Sequence, residues 1–151
     1  MATTATEPAP AARPNEYCFV CGARHPYGLH LRFEDEGEGR VAAEWRPDPA
    51  LQGFEGVIHG GIVSTVLDEA MSKAVVSSGI RALTCDLRVR MRRSVTPGEP
   101  LRIRGWVVAQ RKRLVETEAV ITDDQGRERA HAWASFLSVP AARAASGGGA
   151  S

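Results

Sequence analysis

A chain of 151 residues, 43% hydrophobic and 25% charged, has the make-up of one ordinary globular domain and is long enough to bury a core. Nineteen Lys and Arg against eighteen Asp and Glu leave a formal net charge of +1, which argues against a general nucleic-acid binder. No apolar run approaches the roughly 20 residues that cross a bilayer, so no membrane partner is expected.

The opening stretch "MATTATEPAPAARP" lacks the early positive charge and apolar block of a secretory signal. Residues 1–14 read as a flexible tail, as do residues 140–151, leaving a folded domain over 15–139. Three cysteines, an odd number, without an export signal point to free thiols and a cytoplasmic location. In "CFVCGARHPYGLH" the residues Cys18, Cys21, His25 and His30 stand at C-x2-C-x3-H-x4-H, close to a small zinc knuckle. Packed free thiols are the other reading of the same residues.

"LHLRFEDEGEGRVAAEW" predicts two short strands around a turn at Glu36–Gly39, and "RPDPALQGFEG" predicts a loop. A helix follows from about Gly60 to Ser77, stopped by Gly79. Its positions Ile62, Val63, Val66, Leu67, Ala70, Met71, Ala74 and Val75 make an apolar surface wide enough to be covered on most sides. Asp68 falls on the flank of that surface, where a solvated carboxylate is the plain alternative to a functional one.

The remainder predicts strands. In "ALTCDLRVRMRRSV", Leu83, Cys85, Leu87, Val89 and Met91 alternate with Thr84, Asp86, Arg88, Arg90 and Arg92, which assigns the two sets to opposite faces. "TPGE", "RKR" and "DDQG" are the turns separating "LRIRGWVVAQ", "LVETEAVIT" and "RERAHAWASFLSV". His131 alternates with alanines in the last of these and reads as structural or surface. Short connections imply antiparallel neighbours, and one apolar helix can be buried by one sheet only if the sheet curls around it. The fold class is therefore α+β.

The stretch "HGGIVSTVLDEA" resembles the helix motif of the hotdog-fold acyl-CoA thioesterases, most closely the branch with the phenylacetate-pathway and 4-hydroxybenzoyl-CoA enzymes. "TCDLRVRMRRSVTPGEPLRIRGWVV" and "DDQGRERAHAWASFLSV" are similar to the strands that follow it there. "CFVCGARHPYGLHLRF" is similar to an extension of some members, so the likeness runs from about Tyr17 to Val139. That extension commonly has Asn-Pro where this chain has His25-Pro26, which favours free thiols with no metal and no cofactor. The resemblance implies a long central helix wrapped by five to six antiparallel strands, and hydrolysis of a small or medium acyl-CoA thioester.

Roles follow from it residue by residue. Asp68 takes the place of the catalytic nucleophile or general base, and Gly60 that of the backbone N–H polarising the carbonyl. His59 and Gly61 shape the turn, and Thr84 falls where some members orient the attacking water. Some members carry Asn or Gln about six residues before the motif; here Gly53 stands there, with Gln52 beside it. A non-catalytic acyl-CoA-binding or regulatory protein is the rival reading that this departure supports.

Helix geometry adds a constraint. Eight residues at 1.5 Å rise put Gly60 about 12 Å from Asp68 along the axis, too far for both to act on one carbonyl. The two groups would have to come from different chains of a dimer or dimer of dimers. Glu69, about 100° around the helix, is expected at solvent or an interface. Arg88, Arg90, Arg92 and Arg93, with Arg111, Lys112 and Arg113, are candidate cations for the phosphates of coenzyme A, or a solvated basic face.

Overall fold

The computed structural model describes residues 15–140. Its strands are β1 (Glu34–Gly37), β2 (Arg40–Trp45), β3 (Ala82–Met91), β4 (Leu101–Arg111), β5 (Leu114–Asp123) and β6 (Glu128–Ser138). All pair antiparallel in one curved six-stranded sheet of order β1-β2-β4-β5-β6-β3. One long helix, α1 (Gly60–Ser77), lies across its inner face, giving the hotdog arrangement. The expected tails lie outside the described residues, apart from Pro140. Among the described residues no helix is long and apolar enough to cross a membrane.

The helix is held by its apolar stripe. Val63, Val66, Leu67, Ala70, Met71, Ala74 and Val75 are all buried, at the three- and four-residue steps that keep them on one side. They meet inward-facing residues of the sheet, among them Ile103, Val115, Ala119, Ile121, Ala132 and Phe136. Approach is close: a Cβ at Gly105 of β4 would lie 2.6 Å from the Ala70 carbonyl oxygen. Leu67 is fully buried, so its truncation to alanine costs about 2–5 kcal/mol. The helix ends as the sequence predicts. Gly79 adopts φ +77° and donates to the Val76 carbonyl at 2.9 Å, turning the chain toward β3.

β3 departs from the expected pattern. Its register against β6 shifts between Thr84 and Asp86, a bulge that leaves Cys85 without a direct partner. Thr84 stands opposite the buried Phe136, whereas Leu87, Val89 and Met91 stand opposite Ala134, Ala132 and Ala130, which are buried too. The extra residue therefore puts Thr84 on the same inner face as Leu87, Val89 and Met91. Leu83, paired with Leu137, turns to the outer face and is 66% exposed. Strict alternation had assigned Thr84 and Leu83 to the wrong faces, because it allows no residue to be skipped.

Among the described residues β3 is bonded only to β6 and forms one edge of the sheet. Contrary to the expectation from its short connection, it is not a neighbour of β4, because the segment after it carries the chain across to a place between β2 and β5. Leu87 and Met91 on it remain 39% and 46% exposed although they point toward α1. A long edge strand with exposed apolar side chains is a ready template for pairing with another chain.

Candidate active site

The start of α1 is fixed by the loop before it. Ile58 N–H donates to Val95 O at 2.8 Å and His59 N–H to Leu51 O at 2.9 Å. His59 is the N-cap: its ring Nδ1 accepts from Gly61 N–H at 2.9 Å, and its carbonyl accepts from Ile62 and Val63. Three of the four amides that a helix start leaves open are thus satisfied. The fourth, Gly60 N–H, has no acceptor among the described residues. It is exposed, and a Cβ at Gly60 would meet only Met91 Cε, 3.6 Å away. This protomer's own packing does not require glycine there, and the open amide sits at the positive end of the helix dipole.

Two depressions flank that amide. One of about 380 Å³ is lined by Gly53, Phe54, Val57, Ile58, His59 and Gly60. The other, of about 250 Å³, is bounded by Gly60, Val63, Met91, Arg92, Arg93 and Val95 among others.

Asp68 lies two turns along α1, partly buried. Its Oδ1 accepts a 2.8 Å hydrogen bond from Thr84 Oγ1 of β3. Burial pushes its carboxyl pKa above the ordinary value and the nearby Glu69 charge adds to this, while the Thr84 bond works the other way. The group is a stronger base than a solvated aspartate.

The structure brings some expected residues together and separates others. Asp68 meets Thr84, and His59, Gly60 and Gly61 share one turn with Gly53 beside it. Gln52 is occupied: its Nε2 donates to Pro49 O at 2.7 Å and its Oε1 accepts from Gly56 N–H at 2.6 Å. It braces its own loop. Arg88 lies on the outer face with its guanidinium 4.5 Å from the Trp133 ring centroid. Arg90 faces outward beside it, opposite His131. Arg113 donates twice to Ser138 O, and Ser138 pairs with Ala82 at the end of β3 far from Met91 and Gly60. Lys112 shares that turn. The cations beside Gly60 within one chain are instead Arg92 and Arg93, at the other end of β3. The sequence contains both as candidates; only their place in the depression they share with Gly60 and Met91 distinguishes them from the rest.

His131 is structural, stacked on Trp133 at 4.4 Å and bonded to Glu118 and Glu128 at 3.0 and 2.9 Å. The four-residue zinc set does not assemble. His25 Nδ1 accepts from Tyr27 N–H, and His30 Nδ1 lies 3.0 Å from Gly22 O. Cys18 and Cys21 instead face Glu69, which is therefore turned to the N-terminal segment and not to solvent. Burial, with Glu69 alongside, pushes the Cys21 thiol up to about 12. Nothing in the sequence pairs that acid with those cysteines.

The chain belongs to the thioesterase superfamily, whose family model matches residues 55–130. A search of curated proteins found no match. Among solved structures, one thioesterase superfamily protein is 23% identical over 81% of this chain, with a TM-score of 0.77; this chain spans 60% of its length. Another member is 30% identical, with 79% of this chain and 92% of that one covered and a TM-score of 0.63. A hypothetical thioesterase of Streptococcus pneumoniae, solved with coenzyme A, is 21% identical over 74% of this chain and 87% of its own, with a TM-score of 0.70. The same protein has been solved as an aspartate-to-alanine and a threonine-to-alanine variant.

Proposed function

We propose that this chain hydrolyses a small or medium acyl-CoA thioester to the free acid and coenzyme A, without a metal or other cofactor in the reaction. Asp68 acts as nucleophile or general base, and the Gly60 N–H of a partner chain holds the carbonyl oxygen. The observation that carries the reading is the Thr84–Asp68 hydrogen bond, which fixes a partly buried carboxylate, its pKa raised by burial, at the open edge of the sheet. Superfamily membership supports it. So do the Streptococcus pneumoniae variants, whose aspartate and threonine are separated along the chain by the same sixteen residues as Asp68 and Thr84.

Attack on a thioester moves negative charge onto the carbonyl oxygen. An amide at a helix start, free of intramolecular acceptors, is suited to bind that charge, and glycine leaves room for the acyl group beside it. Within one chain that amide is about 12 Å from Asp68 along the axis. Pairing of two β3 edges in antiparallel fashion would set each Asp68 near the other chain's Gly60, which makes a dimer the smallest competent unit. Thr84 holds Asp68 toward that shared site. Arg92, which pairs with Glu128, and Arg93, which donates to the Glu128 carbonyl, line the depression beside Gly60 and are the cations that would meet coenzyme A phosphates in this reading.

The rival reading is an acyl-CoA-binding protein without turnover. It is favoured by Gln52, whose amide is spent in its own loop. A panel of acyl-CoA esters assayed for thiol release separates the two. Hydrolysis by the wild type that falls at least a hundredfold in Asp68→Asn is the expected result. Turnover that is unchanged in Asp68→Asn removes the residue from the reaction, and binding without thiol release from any ester establishes the rival.

A further inference from the structure

The N-terminal segment lays two thiols against the flank of α1 away from the sheet edge, by a fold of its own. Gly22 N–H donates to Cys18 O and Leu31 N–H to Val20 O, both at 2.8 Å, closing a knuckle. A Cβ at Gly22 would lie 2.4 Å from the Cys18 amide nitrogen, so the turn tolerates no side chain there. Val20 and Leu31 are buried in the core and anchor it. The thiols of Cys18 and Cys21 and a carboxylate oxygen of Glu69 then all lie within 4.8 Å of one another, each residue partly buried. Lys73 Nζ is 3.8 Å from Glu69 Oε1.

We propose that Cys18, Cys21 and Glu69 are a three-ligand site for a zinc ion. Two sulfurs and one carboxylate select a borderline-soft cation over magnesium or calcium, which take oxygen donors. Tetrahedral zinc, with sulfur at roughly 2.3 Å and oxygen at roughly 2.0 Å, sets sulfur–oxygen separations near roughly 3.5 Å. Cys18 Sγ and Glu69 Oε1 stand 3.7 Å apart, so little movement is needed. On binding, the two thiol protons leave to solvent and two thiolate–zinc bonds form, with no change of oxidation state. Three anionic ligands around a divalent ion leave one negative charge, which the Lys73 ammonium balances. The fourth coordination position is left to water. The ion would tie residues 15–31 to α1 at the position after Asp68, a role separate from the proposed hydrolysis.

The test uses the full chain, purified under reducing conditions and stripped by a chelator, then titrated with Co²⁺ and Zn²⁺. One Co²⁺ per chain with thiolate-to-cobalt absorption, displaced by Zn²⁺, is expected. Cys18→Ser and Cys21→Ser abolish the absorption, Glu69→Gln weakens binding at least tenfold, and Cys85→Ser leaves it unchanged. On the wild type alone, Zn²⁺ protects two of the three thiols from an aromatic disulfide reagent, a readout that survives if the serine variants misfold. No cobalt–thiolate absorption, absorption persisting in Cys18→Ser, absence of thiol protection, or a Cys18–Cys21 disulfide in the reduced preparation overturns the site.

Discussion

Thr84 Oγ1 reaches from β3 to Asp68 Oδ1 on α1 at 2.8 Å, and it does so because the bulge at Cys85 turns Thr84 to the inner face. Removing the hydroxyl in Thr84→Ala leaves the carboxylate without this donor. Turnover should fall roughly tenfold, the scale of one hydrogen bond to a charged group, and Thr84→Ser should restore most of it. Because the bond lowers the Asp68 pKa, the acid limb of the pH–rate profile should move to higher pH in Thr84→Ala. An unshifted limb would contradict the pairing.

Asp68 itself should oppose folding at neutral pH. Burial raises its folded pKa above 3.8, so the unfolded chain gives up this proton at lower pH than the folded one. Its contribution is most favourable below pH 3.8 and is lost as pH rises through the folded value. Asp68→Asn should therefore melt higher than the wild type at pH 7 while losing turnover by about 10²–10⁴-fold. Calorimetry at pH 7 and near pH 3 should show that difference shrinking in acid.

Gly60 is the first helical residue, a position that accepts proline, and His59 before it is already extended at ψ 129°. Gly60→Pro thus deletes one N–H while sparing the helix, and should cost about 10²–10³ in turnover, as for removal of an oxyanion donor. Unfolding and refolding Gly60→Pro together with Asp68→Asn should then recover activity. Each mixed dimer keeps one unaltered site, so about a quarter of the wild-type rate is expected from random pairing. No recovery would mean the amide and the acid act within one chain.

Leu87, 39% exposed on the open edge of β3, should sit where two chains meet. Leu87→Glu should shift the protein to a smaller species in light scattering, with its circular dichroism retained and its hydrolysis lost. A monomeric wild type that hydrolyses thioesters would contradict the shared site.

Asp123 concerns stability alone. Its side chain is buried, which would raise its pKa, but amides of Arg127 and Gln125 and the guanidinia of Arg129 and Arg127 overcome this and hold it at about 2. The stabilisation is present above 3.8 and lost as pH falls toward 2. Asp123→Asn should melt below the wild type at pH 7, with the gap closing over that window.

The helix bounds, its buried stripe and the β1–β2, β4–β5 and β5–β6 hairpins were legible because each depends on local chemistry, whereas the pairings of β2 with β4 and of β3 with β6 join distant segments and were not. Gly79 readily takes the left-handed φ of +77° that ends a helix, and residues three and four apart share a helix face in any context. The Asp68 and Gly60 assignments came with the motif, and rise per residue alone says that the two cannot share a carbonyl within one helix. The inner position of Thr84 was not legible, since one skipped residue inverts the faces of a strand without altering its composition.

The sequence by itself determined a single helix wrapped by a sheet, and an acid on that helix with glycines at its start, because periodicity and turn chemistry act over a few residues. Tertiary structure alone decided which side chains meet the acid. It gave Asp68 its partner in Thr84, put Glu69 against two cysteines, and chose Arg92 and Arg93 over the other basic residues beside Gly60. Those choices depend on strand register and on how distant segments dock, and neither is encoded in the spacing of residues along the chain.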